Sequence, residues 1–439
     1  MIFDFNAENS SNFLQKHGKI ALAYFLIIAF LGVLLRLFAV IDVPINYRFM
    51  VHAHSHTALL GWVYTAFTTL IYAMYFKKNE LDIRSKKKYQ KIFFATQISI
   101  IGMLICFPFM GYAFFSILFS TLFLIASYFF GYFIFKHTSP LQKQTNSYKC
   151  IRISLWYMML SSLGPWALGI IIKTEGIGSS LYKNAIYFYL HFQYNGWFIL
   201  AIFGIFFYIL EQNNDYKQDN QQNKKAKITL SKKQFQVFFW MFNSGVFLTF
   251  GISLLWMKPS IFVYLISGFG ALLQLISFSF LIKNLMVYQQ QIKSIFSRFS
   301  VVTFQLLKIV VVFLMLKLVF QLIATIPYFS IIIFSNIDFI IGYLHFIFLG
   351  IISLSIILFL HQFKLIKLTK KSILFYLIGF FLTEIVIFYK GIIGWLQFDI
   401  CNYYFEFLVI VSCFLLISIG MIFSSQFKNL FEFYQKKVL

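Results

Sequence analysis

Acidic residues are scarce in this chain, and charge of either sign is uncommon. Asp and Glu number 14 in 439 residues, and charged residues together make up only 12%. Hydrophobic residues make up 60%, and the mean hydropathy is +0.79. Because no soluble domain of this length tolerates that balance, the composition excludes the soluble globular classes and indicates a membrane protein.

Cysteine is also rare, and its spacing fits no metal site. The four cysteines are Cys106, Cys150, Cys401 and Cys413, and three of them are expected inside the membrane. The first 18 residues are polar and lack the layout of a cleavable signal. We therefore expect the first apolar stretch to remain in the mature protein.

Long apolar stretches recur along the whole chain, and each is long enough to cross ~30 Å of hydrocarbon. They should be helices, because lipid offers no partner to backbone N–H and C=O groups. The predicted fold is all-α and polytopic, with about twelve spans in a single integral-membrane domain over 1–439. The spans are predicted at 19–41, 52–76, 90–112, 113–135, 149–173, 183–210, 235–257, 260–285, 301–326, 337–361, 371–392 and 400–424. The polar stretch 211–233 is predicted to be a flexible cytoplasmic loop.

The net charge of +23 would suit a polyanionic partner, but its distribution argues against nucleic acid. Lys and Arg concentrate in the loops after spans 2, 4, 6, 8 and 10 and in the C-terminal tail, while the intervening loops hold few. This alternation follows the positive-inside rule. It predicts an even number of spans, cytoplasmic N- and C-termini, and a multi-pass protein surrounded by lipid in a bacterial inner (plasma) membrane.

Three histidines lie at the start of span 2, in the sequence VHAHSHTALLGWVY. They are His52, His54 and His56. Residues four apart share a helix face, whereas residues two apart point about 200° around the axis. His52 and His56 should face one side and His54 nearly the other, so this helix can supply ligands to two sites or two ligands to one.

Spans 6 and 10 each carry one histidine about eight residues from the outer end, His191 and His345. At 1.5 Å per residue both should lie roughly 12 Å below the outer surface, close to the level of the histidines in span 2. Intramembrane ionisable groups are costly and by default suggest function, and imidazole is a common ligand of haem iron, copper and zinc. A lone histidine can equally be an interhelical hydrogen-bond partner.

The histidine-bearing spans recur every four, which suits three four-helix units around a centre. The remaining histidines are predicted to be interfacial residues at cytoplasmic span ends, namely His17, His137 and His361.

The run from His52 to Trp62 (HAHSHTALLGW) resembles the HxHSxALGW helix of C-type haem-copper oxidase subunit I. The segment from His191 to Phe198 (HFQYNGWF) is more loosely similar to the helix that opens that family's copper site. The HAH run and the later LHFIFLG segment around His345 are also similar to NnrS-type haem- and copper-containing membrane proteins.

The resemblance implies an oxidoreductase-like membrane protein of electron transport or respiration that handles electrons, oxygen or nitric oxide. It implies a haem cofactor, of b type as a first guess, with copper as a further possibility, and an electron-donor protein or quinol as partner. Span 7 contains no histidine, so the family's three-histidine copper centre lacks two of its ligands. The five intramembrane histidines can still provide bis-histidine haem, or haem with one open site.

Other polar groups lie at the same predicted level. Span 9 carries Lys317 and span 11 carries Glu384, which are predicted either to form a buried ion pair or to bind protons or propionates beside the site. Arg36 and Arg48 flank the outer surface and can pair with haem propionates or anchor the interface. Pro165 should kink span 5.

Two other functions compete with haem binding. The HxHxH run also suits the entry site of a metal-ion or small-solute transporter, coupled through Lys317 and Glu384. A non-catalytic sensory or assembly protein on the same scaffold is the other alternative.

Overall fold

The chain folds into twelve helices that are long and apolar enough to span a membrane. The computed structural model describes residues 7–77, 81–215, 228, 230–297 and 301–427. It is 86% helical, and the described residues contain no strand, which confirms the all-α prediction. The helices are α1 (Asn12–Leu37), α2 (Tyr47–Phe76), α3 (Ile83–Met110), α4 (Phe114–His137), α5 (Asn146–Thr174), α6 (Ser180–Gln212), α7 (Lys232–Met257), α8 (Ile261–Met286), α9 (Val302–Ile323), α10 (Ile337–Gln362), α11 (Lys370–Leu396) and α12 (Tyr404–Ser424).

Capping residues set the N-terminal ends of α2 and α6. The Asn46 side chain accepts a hydrogen bond from the Phe49 N–H at 3.2 Å, so α2 begins five residues earlier than predicted. Ser179 caps α6 in the same way through the Tyr182 N–H. The histidines of α2 therefore lie in its second and third turns rather than at its entrance.

Only the ends of the predicted loop 211–233 fall within the described residues. Residues 211–215 continue the helix that contains α6, and α7 begins at Lys232. Residues 216–227 and 229 lie outside the described residues, so the predicted flexibility of this loop stays a prediction.

The turn between α3 and α4 depends on one glycine. Gly111 ends α3 with a φ of +57°, a conformation that favours glycine. A Cβ at this position would also overlap the Phe49 ring of α2. The positive φ of Gly111 and its close packing against Phe49 explain how the chain turns here. No polar loop separates the two apolar helices α3 and α4.

Helix α5 is interrupted in its outer half. Its first part ends at Ser161 and its second part begins at Leu163, with Ser162 between them. Pro165 follows three residues later and has no N–H to donate to the preceding turn. The predicted disturbance of span 5 is therefore confirmed as a break in its helical hydrogen bonding.

The helices group into two compact units, and the predicted arrangement of three four-helix units around a centre stays a prediction. Unit 1 comprises Met1–Thr138 and Ile356–Leu439, and unit 2 comprises Ser139–Ser355. Unit 1 contains α1–α4, α11 and α12, and unit 2 contains α5–α9. The division falls within α10, whose outer part, including His345, belongs to unit 2.

Helices α2, α6 and α10, which carry the five candidate histidines, are the three most buried of the twelve. The most apolar window of α2 is 100% buried, that of α6 is 83% buried and that of α10 is 72% buried, whereas the other nine windows are 33–50% buried. The other nine helices present large apolar side chains outwards, as Phe94 and Ile98 of α3 do. Residues on α2, α6 and α10 therefore lie in protein surroundings, where polar groups can find partners.

Candidate functional site

Helices α2, α6 and α10 each change from α to π geometry directly after a histidine. The π segments are Thr57–Tyr64 in α2, Phe192–Phe198 in α6 and Phe346–Ser353 in α10. They follow His56, His191 and His345 respectively. The π-helix is rare, occurs mostly as single turns and is frequent at functional sites. Three such segments in equivalent places mark these positions as the candidate site.

A short sequence repeat underlies this equivalence, and the sequence analysis missed it. In each helix a glycine follows the histidine after four intervening residues, at Gly61, Gly196 and Gly350. A Cβ at Gly61 would lie 2.9 Å from Cγ of Tyr24, and one at Gly196 would lie 2.6 Å from Cγ of Tyr157. Neighbouring aromatic rings thus pack directly against the backbone of two of the π segments.

His52 and His56 share one face of α2, as predicted. Their ring centroids are 6.5 Å apart and the rings are nearly perpendicular. Nδ1 of His56 lies 2.9 Å from the His52 carbonyl oxygen. Because a carbonyl only accepts, this nitrogen carries the proton and Nε2 keeps its lone pair, which receives the Tyr112 hydroxyl at 3.4 Å. The Phe107 ring packs 4.4 Å from the His56 ring.

His54 faces α1 instead, which confirms that the triplet serves two sides of the helix. The Ile28 carbonyl is a hydrogen-bond partner of the imidazole, whereas Nδ1 is buried with no partner among the described residues. The ring edge lies 3.4 Å from where a Cβ on Gly32 would stand. The Arg36 charge acts on this imidazole from the last turn of α1.

Arg48 lies one turn before His52 on α2 and is exposed. Its positive charge interacts electrostatically with the His52 imidazole. Arg36 is half-buried and Arg48 exposed, so the two guanidinium groups predicted to flank the outer surface differ in their surroundings.

His191 of unit 2 is part of a closed polar network. Nε2 lies 2.8 Å from the Val246 carbonyl of α7 and therefore donates to it. The Asn195 amide N–H group then donates to Nδ1 at 3.1 Å. The Asn195 carbonyl oxygen in turn accepts from the Lys317 ammonium of α9 at 2.5 Å, and Lys317 also donates to Gln321 at 2.5 Å. Both ring nitrogens of His191 are thus in use.

His345 resembles His56 in its hydrogen bonding. Nδ1 lies 2.8 Å from the Ile341 carbonyl oxygen one turn earlier and therefore carries the proton. Its Nε2 keeps the lone pair, which is the form in which imidazole binds a metal. His54, His191 and His345 are the eighth, twelfth and ninth residues of their helices, so their positions along the helix agree to within about 6 Å.

No group of three or more His, Cys, Asp or Glu side chains in the described residues is arranged to hold a metal ion. His52 and His56 lie on one face of α2 and His54 on another, while His191 is engaged within unit 2. The roles predicted for these histidines as ligands of haem, copper or zinc stay predictions.

Lys317 and Glu384 are both buried, but their surroundings differ. Lys317 is 0% exposed and has two neutral amide partners, so it is held by Asn195 and Gln321 rather than by a carboxylate. Glu384 is 6% exposed, and neither carboxyl oxygen has a hydrogen-bond partner in the described residues. Within unit 2, Asn195 and Gln321 are thus the hydrogen-bond partners of Lys317, and the predicted ion pair with Glu384 stays a prediction.

Two partners in the unit 2 network, Asn195 and Gln321, were not predicted. Asn195 lies four residues after His191, and Gln321 lies four residues after Lys317. The sequence did contain a signal for both residues, because each is a polar residue one helical turn from an intramembrane ionisable residue. The partner on α7 offered no signal, because the Val246 carbonyl belongs to the backbone.

His17 corrects one of the interfacial assignments. It is 3% exposed, and its ring stacks on Phe93 with centroids 3.4 Å apart. The Tyr89 hydroxyl lies 3.4 Å from its Nδ1. His17 is therefore a buried packing residue of unit 1. His137 contacts the Ser85 hydroxyl at 3.1 Å near the cytoplasmic end of α4.

Comparisons with known proteins add no family assignment. No protein-family model matches the chain, and no curated protein matches it.

Proposed function

We propose that this chain is a haem-binding integral membrane protein that handles electrons, oxygen or nitric oxide. The supporting observation is the state of His54: one side of its imidazole is held by the Ile28 carbonyl while Nδ1 is buried without a donor. A carbonyl that fixes one nitrogen and leaves the other as a lone pair is the outer-shell arrangement of metal-bound histidine. A buried acceptor without a partner is otherwise costly.

The residues that would hold haem follow from these hydrogen bonds. His54 is the first candidate for an axial ligand, and Arg36, whose charge acts on it, is a candidate partner for a propionate. His345 has the protonation pattern of a ligand as well. His191 would have to release the Val246 carbonyl or Asn195 before it could bind iron. Bound haem would supply the redox-active, ligand-binding iron.

The supply of electrons and the role of copper belong to the same proposal. A quinol or an electron-donor protein is the partner class that a membrane haem protein requires. Any copper would have to bind with fewer than three protein ligands of the described residues, for example at His52 and His56.

The experiment is an absorption spectrum of the full-length protein purified from haem-replete cells, with metal analysis. We expect a Soret band that His54→Ala abolishes or weakens several-fold and that His345→Ala weakens. His191→Ala should disturb it less, because that side chain is already engaged. His137→Ala is the matched control and should leave it unchanged. A colourless, iron-free preparation would overturn the proposal.

A metal-ion or small-solute transporter is the second candidate, and departures from α geometry favour it. Besides the three π segments, α7 ends in a 3-10 segment at Thr249–Met257, and Lys317 is buried in the same unit. Transporters commonly place their sites at interrupted helices. Uptake of zinc or copper that depends on His52 and His56, by protein that contains no haem, would favour this candidate over the first.

A measurement of turnover would distinguish a sensory or assembly protein from an enzyme. Protein that binds haem and responds spectrally to nitric oxide or oxygen, yet consumes neither when given a reduced quinol, would be non-catalytic.

A further inference from the structure

Glu384 is a buried carboxyl group of unit 1. It lies near the middle of α11, and its side chain is 6% exposed. Both carboxyl oxygens are buried and have no hydrogen-bond partner in the described residues. Few of the 14 acidic residues lie within the described spans. A carboxyl group near the middle of a span is therefore unusual in this chain.

The Glu384 carboxyl has no hydrogen-bond partner in the described residues, although one charged group acts on it. Helix α11 packs against α12, where a Cβ on Gly379 would lie 3.1 Å from Cα of Leu415, and against α1, where Tyr376 lies 6.1 Å from the Phe25 ring. The charged group that acts on the carboxyl is Arg36 of α1. An ionised carboxylate normally receives several hydrogen bonds when it is buried, and here it receives none.

Binding of a proton removes the energetic cost of burying an ionised carboxylate without hydrogen bonds. Addition of one proton neutralises the group, so that desolvation no longer opposes burial. Arg36 works in the opposite direction, because a nearby cation favours the ionised form.

We propose that Glu384 is a proton-binding site in the interior of unit 1 and is neutral at rest. This inference does not depend on haem. It applies equally if the chain is a haem protein or a proton-coupled transporter, so its failure and that of the haem proposal are distinguishable.

The first test uses dicyclohexylcarbodiimide, an apolar reagent that adds to protonated carboxylic acids. The acid proton moves to one carbodiimide nitrogen and the carboxyl oxygen bonds to the central carbon. An acyl shift from oxygen to nitrogen then gives a stable N-acylurea, and no atom leaves. The reagent is applied to the full chain in lipid vesicles, and labelled sites are located by peptide mass spectrometry.

We expect Glu384 to be labelled at neutral pH and the label to decline at alkaline pH. Glu175, which is exposed and lies outside the spans, is the internal control. An ordinary glutamate is under about 1% protonated at neutral pH, so the label should favour Glu384 by more than about a hundredfold. Arg36→Gln should extend labelling to higher pH.

An infrared measurement guards against poor access of the reagent or a variant that fails to fold. The wild-type protein should show the C=O stretch of a neutral carboxylic acid at neutral pH, and this band should titrate together with the label. Glu384→Gln should lack it. Absence of the band and of the label from mildly acidic to mildly alkaline pH would overturn the proposal, as would a labelling profile equal to that of Glu175.

Discussion

Asn195 determines how the histidine of α6 is held. Its amide donates to Nδ1 of His191 and accepts from Lys317, so a single side chain fixes both the orientation of an imidazole and the position of a buried ammonium. It can do both only because the amide has a donor end and an acceptor end. The tautomer of His191 thus follows from two partners, the Val246 carbonyl that accepts from Nε2 and the Asn195 amide that donates to Nδ1.

Replacement of Asn195 by the near-isosteric leucine removes both hydrogen bonds. We expect Asn195→Leu to destabilise the protein by about 1–3 kcal/mol, since a buried ring nitrogen and a buried ammonium each lose a partner. The measurement is the apparent thermal unfolding midpoint in detergent, followed by circular dichroism. Asn402→Leu, in an exposed position, is the control. An unchanged midpoint for both variants would contradict the network.

Asp82 makes a pH-dependent contribution at the start of α3. Its carboxylate caps the helix by accepting from the Ser85 N–H at 3.2 Å. Hydrogen bonding from the Ser85 side chain, followed by that backbone N–H, lowers the pKa of Asp82 below its usual value. A lowered pKa means that the folded state favours the ionised form, so the cap is fully present above the usual pKa and is lost as the pH falls through the lowered one.

Hydrogen exchange should reveal this dependence locally. We expect protection of the amides around Ser85, corrected for intrinsic exchange, to decline below the usual pKa of aspartate in the wild type. Asp82→Asn keeps a capping oxygen that does not titrate, so its protection should not change over the same range. A decline of equal size in both proteins would assign the pH dependence to another group.

At the scale of elements, the sequence predicted what depends on the local run of residues. Twelve apolar stretches, the split between α3 and α4, and the disturbance near Pro165 followed from hydropathy and from one proline. The π segments did not follow, because their apolar pattern is that of any buried helix. They are associated with contacts from other helices, such as the Tyr24 and Tyr157 rings on Gly61 and Gly196.

The same limit applies to the candidate site. Spacing within α2 predicted correctly that His52 and His56 share a face and that His54 faces elsewhere. It could not show that the Val246 carbonyl occupies Nε2 of His191, because that partner is a backbone atom on another helix. Residue type identifies candidate ligands, whereas tertiary contacts decide which nitrogens remain available.

The turn at Gly111 allows the backbone and packing roles of a glycine to be separated. Gly111→Ala should destabilise the protein by about 2–4 kcal/mol, because it combines a positive φ with overlap of the Phe49 ring. Gly176 also has a positive φ, of +84°, but a Cβ there meets nothing within 4 Å. Gly176→Ala should lose only about 1–2 kcal/mol.

The two stability losses are compared by measuring the apparent thermal unfolding midpoints of Gly111→Ala and Gly176→Ala. The Phe49→Ala change, added to Gly111→Ala, should recover part of the difference by removing the obstructing ring. Equal losses at both glycines would show that the α3–α4 turn is held by backbone conformation alone.

At the scale of the whole molecule, charge and helix count support each other. Twelve spans return the chain to the side on which it began, and the basic loops after even-numbered spans assign that side to the cytoplasm. The loop after α4 contains Lys143, and the loop between α11 and α12 contains the exposed Cys401. These two positions should therefore lie on opposite sides of the membrane.

Cysteine labelling in intact bacterial cells tests this arrangement. With Cys106 and Cys413 replaced by serine and the buried Cys150 retained, Cys401 should react with a membrane-impermeant maleimide added from outside. In a Cys401→Ser background, Lys143→Cys should react only after the cells are permeabilised, because it is expected to lie in the cytoplasm. The reverse order of access would place the basic loops outside, and His191 and His345 would then be near the cytoplasmic side. Labelling of both positions in intact cells would contradict the seven spans, α5 to α11, that lie between them, because an odd number of crossings must place the two positions on opposite sides of the membrane.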